Sequence, residues 1–194
     1  MTRQELLALL RQVQAGDDTP ESAHDRILQY LRQAPFEDLG FARVDHHRRL
    51  RQGFPEVVFG PGKTPDQIAA IAERIVSAGH ALLVTRTDAA AYAAVGSRVA
   101  DAVFTPIART ITRPAANTEC GKGTIAVVAA GTADLPIAEE AAVCAAVMGN
   151  DVDRLFDVGV AGLHRLLAEH HRLLSARVVI VVAGMEGALP SVVG

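Results

Sequence analysis

Three short loops carry residues whose types and spacing suit chemistry on a phosphorylated or carboxylated ligand. The first, Gly131-Thr-Ala-Asp-Leu-Pro136, sets a hydroxyl (Thr132) and a carboxylate (Asp134) behind a glycine and ahead of a proline-started helix. Free N–H groups and the positive end of a helix receive phosphate at such a turn. Thr132 or Asp134 acting as a plain helix cap accounts for the same residues. The second, Gly159-Val-Ala-Gly-Leu-His-Arg165, has two glycines, Gly159 and Gly162, that let a ligand approach the backbone. There His164 can move a proton near neutral pH and Arg165 can clamp an anion, although a histidine in a helix's first turn is also an ordinary surface residue. The third, Ala183-Gly-Met-Glu-Gly-Ala-Leu-Pro190, sets the lone carboxylate of Glu186 among small residues that include Gly184. Glu186 serves either as a cap for the next helix or as a reacting carboxylate.

A fourth cluster is basic. Arg43, Arg48, Arg49 and Arg51 fall within nine residues, interleaved with Asp45, His46 and His47. Such a run is a local anion trap or a solvated basic turn. The adjacent histidines lack metal-ligand spacing, so no metal site is expected. His170 and His171 stand near a helix end, where they favour the dipole. Of the two cysteines, Cys144 shares a helical stripe with Ile137, Ala141 and Met148 and reads as a buried small hydrophobe. Cys120 reads as exposed, without an activating neighbour.

These residues need elements to hold them. Leu6, Leu7, Leu10 and Val13 recur at helical spacing, with Gly16 to end that helix. Thr19 and Pro20 start a second helix with Ile27, Tyr30 and Leu31 on its apolar face, which makes residues 1–35 a helical hairpin. Residues 36–118 read as a small αβ domain: strands at 56–59 and 81–85, helices at 65–78 and 88–95, then two short extended runs. Thr64, Pro65 and Gln67 form a capping-box signature, and Gly79 is the expected C-terminal cap. Residues 113–123 read as a linker. Residues 119–194 then carry strands at 124–129, 152–157 and 178–182 with helices at 136–148 and 162–174. Continuous valine and isoleucine strands joined by helices predict a parallel sheet with helices on both faces. All three loops open on one edge of such a sheet, where ligands collect. Three strands make a narrow sheet, so more sequence or another subunit is expected to complete it.

Composition narrows the functions. The 194 residues are 49% hydrophobic and 21% charged with a net charge of −3. That composition excludes a disordered chain and a global positive field for nucleic acid. No apolar run approaches the roughly 20 residues that cross a bilayer, and no signal-peptide core begins the chain. A cytoplasmic protein with no nucleic-acid or membrane partner is expected.

Together the three loop motifs resemble the PurE fold of the aminoimidazole ribonucleotide carboxylases, a flavodoxin-like parallel three-layer sandwich. Arg43-Val-Asp-His-His-Arg48 followed by Gln52-Gly-Phe-Pro-Glu56 resembles the LarB family of nickel-pincer cofactor biosynthesis. The resemblance covers nearly all of the chain after residue 36. It implies carboxylation of the pyridinium C5 of nicotinic acid adenine dinucleotide by CO2 or bicarbonate, with phosphoanhydride hydrolysis that releases AMP. It implies no tightly bound cofactor, admits magnesium, and makes the complete protein a homo-oligomer, an octamer by analogy with PurE. Residue by residue, it assigns phosphate or carboxylate binding and proton transfer to His164, and Glu186 is expected to move the C5 proton or orient the water. It assigns ligand binding to Gly131, Thr132, Asp134, Gly162, Arg165 and Gly184, and to Arg43, Asp45, His46 and Arg48. Glu186 departs from PurE, which has small residues there, and fits LarB. The family's nucleophilic cysteine lies beyond the Gly-Ala-Leu-Pro-Ser motif, and neither Cys120 nor Cys144 matches its position; the chain is expected to lack that segment. Two other functions share these motifs: a purine ribonucleotide carboxylase of the PurE type, which has no preceding arginine cluster, and a non-catalytic nucleotide-binding or assembly module.

Overall fold

A computed structural model describes residues 3–32, 36–46, 48, 52–115 and 120–194. The chain divides into two compact units, Met1–Glu56 and Val57–Gly194.

In the first unit, helices α1 (Arg3–Ala15) and α2 (Pro20–Arg32) form the expected hairpin. Thr19 caps α2, its Oγ1 accepting the Ser22 N–H at 3.1 Å. The buried face of α1 runs through Leu9, flanked by half-buried Leu6 and Val13, while Leu7 and Leu10 face outward. On α2 the inward face is Ala23, Ile27 and Tyr30, with Leu31 exposed. Each face is thus narrower than the run of leucines suggests, because a two-helix pair buries one stripe only. Strands β1 (Phe36–Asp38) and β2 (Arg43–Asp45) then pair antiparallel. Asp38 closes this hairpin by accepting the Gly40 N–H at 2.8 Å.

The second unit opens with a mixed four-stranded sheet. Its strands are β3 (Val58–Phe59), β4 (Leu82–Thr85), β5 (Val103–Thr105) and β6 (Thr110–Arg113), in the order β3-β4-β6-β5. Only β3 and β4 run parallel, and they are joined by α3 (Pro65–Ser77). The capping box forms as expected: Gln67 N–H donates to Thr64 Oγ1 at 3.3 Å and Thr64 N–H to Gln67 Oε1 at 3.0 Å. Ile68, Ile71 and Ile75 bury the inner face of α3, and Gly79 ends it by donating to the Val76 carbonyl at 2.9 Å. Helix α4 (Ala89–Gly96) starts at Asp88, whose carboxylate accepts the Ala91 N–H at 2.9 Å.

Next comes a parallel sheet of β7 (Thr124–Ala129), β8 (Asp151–Leu155) and β9 (Val178–Val182), with β7 in the centre. Alternate β7 residues feed two cores. Val127 and Ala129 pack with Ala138 and Ala142 of α5 (Leu135–Val147) on one face. Ala126 and Val128 pack with Leu155, Leu166 and Leu189 on the other. This is an α/β fold with parallel-containing sheets, consistent with the flavodoxin-like expectation.

Two details depart from the sequence reading. The predicted single helix over 162–174 is a 3-10 turn at Val160–Gly162 followed by two short helices, α6 (Leu163–Ala168) and α7 (His170–Ser175). Glu169 interrupts them, and Arg172 is pinned both to Glu169 and, through Nε at 2.8 Å, to Asp153 of β8. The α5 stripe of Ile137, Ala141, Cys144 and Met148 is not the buried one in this chain: Ile137 is 53% and Met148 41% exposed. Ala138, Ala142 and Ala145 face inward instead. Small side chains let the helix lie close on the sheet, which size-blind hydrophobicity does not reveal. Cys144 is half-buried and Cys120 exposed. The chain ends in α8 (Leu189–Val193).

Candidate functional site

The order β8-β7-β9 means the chain leaves β7 toward one neighbour and returns to the other, a switch point that opens a crevice at the C-terminal strand ends. The three predicted loops meet there, and backbone bonds lace them around the end of β7. Ala130 N–H donates to the Val182 carbonyl at 3.1 Å, and Gly159 N–H donates to the Ala130 carbonyl at 2.8 Å. A Cβ on Gly159 would lie 2.8 Å from that same carbonyl oxygen, so only glycine permits the approach.

Asp134 completes the lacing. Its Oδ2 accepts the Gly131 N–H at 3.0 Å and its Oδ1 accepts the Gly184 N–H at 2.9 Å, across 50 positions of sequence. The residue that the sequence offers as a helix cap or a ligand contact therefore ties the first loop to the third. Thr132 stands exposed in the 3-10 turn Thr132–Asp134 that leads into α5. At the start of this 13-residue helix the Leu135 N–H already donates to the Thr132 carbonyl and Pro136 has none, so what favours an anion there is the positive end of the helix.

Arg165 donates through Nη1 to the carboxylate of Asp157. Asp157 closes the β8 loop in left-handed backbone at φ 61°, and the sequence reading gave it no role, because it is one of four charged residues in Asp151-Val-Asp-Arg-Leu-Phe-Asp157. The pair holds the guanidinium in place with its remaining donors open to an oxyanion. His164 is exposed beside it. Glu186 is exposed on the turn that Gly187 N–H closes on the Gly184 carbonyl at 2.9 Å, next to Met185 in left-handed backbone at φ 36°. Non-glycine residues in such backbone cluster at functional sites. The edge thus gathers Thr132, Asp134, Gly159, Arg165, Gly184 and Glu186.

Arg43, Asp45, His46 and Arg48 belong to the other compact unit. Arg43 is engaged inside its hairpin: Nε donates to Asp38 at 3.2 Å and the guanidinium lies 5.3 Å from the Phe36 ring centroid. His46 Nε2 is 3.6 Å from Glu37 Oε2, and the Asp45 N–H donates to Glu56 Oε2 at 2.7 Å. Arg48 is exposed; His47, Arg49 and Arg51 lie outside the described residues.

Burial pushes the Cys144 thiol up to about 11, and the Glu140 carboxylate one turn earlier adds to the shift. The thiol is therefore protonated at neutral pH and is a poor nucleophile. Among the described residues no group of three or more His, Cys, Asp or Glu side chains is placed to hold a metal ion. No helix among them is long and apolar enough to cross a membrane.

The chain is 36% identical over 159 residues to an uncharacterized protein of Methanocaldococcus jannaschii; the match covers 78% of this chain and 62% of that protein's length. The family model for the LarB/PurE-like N-terminal domain matches residues 36–115. Over residues 36–115, ahead of the parallel sheet, the chain is LarB-like.

Proposed function

We propose that the protein carboxylates the pyridinium C5 of nicotinic acid adenine dinucleotide with CO2 and hydrolyses the phosphoanhydride to release AMP. The observation that carries this reading is the presentation of Glu186 at the same laced edge as the α5 N-terminus and Arg165. The positive end of α5 and Arg165 bind phosphate or carboxylate oxygens. Glu186 accepts the C5 proton once CO2 has added, which restores the aromatic ring. His164 moves a proton on the same edge, and Asp134 holds the loops in register. A cysteine thiolate that adds to the ring, as the family resemblance implies, would leave C5 enamine-like and able to attack CO2; thiol expulsion follows the proton loss. The protonated Cys144 does not suit that role. The match to a LarB/PurE-like N-terminal domain over residues 36–115 favours this substrate over a purine ribonucleotide. The proposed protein is a homo-oligomer.

The test incubates the protein, as its gene encodes it, with nicotinic acid adenine dinucleotide, magnesium and 13C-bicarbonate, and follows label and AMP by mass spectrometry. Label incorporation is expected from wild type. Glu186→Gln should lower it by about 100-fold or more while dinucleotide affinity stays within a few-fold. Full turnover by that variant, or no label from wild type, overturns the assignment.

A further inference from the structure

The loops that follow the parallel strands β3 and β4 line an open-sided cavity of about 280 Å³, wholly within the second unit. Its size is at the small end of ligand pockets, which run from about 300 Å³ upward. Three cations line it, Lys63, Arg86 and Arg109, against one carboxylate, Asp88. Asp88 already serves as the cap of α4. Among the described residues neither Lys63 nor Arg109 meets a carboxylate: Lys63 Nζ donates to the Phe59 carbonyl at 2.9 Å and Arg109 Nε to the Thr87 carbonyl at 3.4 Å. Arg86 is shared between Glu140, at 3.4 Å, and the face of Phe59, 5.7 Å from the ring centroid.

Thr87 is 5% exposed, and its Oγ1 has no hydrogen-bond partner among the described residues. A buried hydroxyl is normally satisfied, so this orphan in the wall of a cationic cavity points to a ligand acceptor. Arg86 and Arg109 both hold left-handed backbone at φ 52°, outside the usual range for arginine. Gly60 lets the first loop close: a Cβ there would lie 2.8 Å from the Arg86 carbonyl oxygen and 2.9 Å from that of Thr85. The positive ends of α3 and α4 start at the same place. A compact ammonium and two planar guanidiniums around a hydroxyl match a tetrahedral oxyanion with more than one charge.

We infer that this cavity is a second anion site, separate in sequence from the three-loop edge, that binds the phosphate or pyrophosphate group of a small ligand. The inference stands whether or not the carboxylase reading holds. Isothermal titration of the full-length protein at low salt, with inorganic pyrophosphate and with AMP as separate titrants, tests it. Binding by pyrophosphate alone marks a free inorganic anion, and tighter binding by AMP marks a nucleotide; either supports the site. Lys63→Met and Arg109→Met should each weaken the bound titrant about tenfold. Amide shifts in 15N spectra should move at Gly60, Lys63 and Thr87, which reads the site even if a variant folds poorly. No binding of either titrant at millimolar concentration overturns the inference. So does binding that Arg165→Met abolishes while both cavity variants keep wild-type affinity.

Discussion

Asp134 stands where a cap and a ligand contact look alike in sequence, because a carboxylate just ahead of a proline-started helix serves either. Its two oxygens each hold a backbone N–H, one in its own loop and one 50 positions away. Removing it leaves both donors to find water and frees the third loop, which carries Glu186. Asp134→Ala should therefore destabilise the fold by about 1–3 kcal/mol. Asp134→Asn should fall between, since an amide offers one acceptor where two donors point at the side chain. Urea unfolding of the three proteins checks the order; equal midpoints would mean that the bridge carries no stability. The sequence displayed the residue types of the edge well, since glycines, a hydroxyl and a carboxylate in a strand-to-helix turn are local signals. The link between the first and third loops was not legible, because a contact across 50 positions leaves no mark in local spacing. Nor was the cavity with Lys63, Arg86 and Arg109, whose cations are scattered over 47 positions and converge only when β3, β4 and β6 align.

Elements with strong local punctuation were readable: α3, with its capping box and terminal glycine, and β7 and β9, with unbroken aliphatic runs. The antiparallel β1–β2 pair escaped notice because each strand has three residues and mixes charged with apolar positions. The split between α6 and α7 also escaped, as the leucine spacing alone reads as one helix. Arg172 is the residue that fixes the second segment, through Asp153 of β8 and through Glu169. The Arg172 guanidinium holds the Asp153 carboxyl below the usual carboxylate range, although burial opposes this. A depressed folded value stabilises the fold above the unfolded pKa of about 3.9 and loses that stabilisation as pH falls through the folded value. Both side chains remain about a third exposed, so the pair is worth about 1 kcal/mol or less. Arg172→Met should lower the urea midpoint at pH 7, and the gap to wild type should close below about pH 4. A gap that stays constant from pH 7 to pH 3 would assign the loss to packing of the arginine stem instead.

At the scale of the whole molecule, the unit Val57–Gly194 holds the mixed sheet, the parallel sheet and the three-loop edge. Its cores are internal. Ile68, Ile71 and Ile75 of α3 are buried beside Leu82, Leu83 and Val84 of β4, and β7 supplies both faces of the parallel sheet. Helix α5 also reaches back toward the mixed sheet, where Glu140 meets Arg86, so the two sheets share contacts inside one unit. A unit with its own buried cores and its own backbone pairing should fold without the segment before it. Residues 57–194 expressed alone should unfold in one urea transition, seen alike by far-UV circular dichroism and by dispersed amide resonances, with a slope of about 1–3 kcal/mol/M. Two separated transitions would divide the unit between the mixed and the parallel sheet. A broad, non-cooperative melt would instead make residues 1–56 part of the folding unit, and the two-unit division would then describe geometry without describing stability.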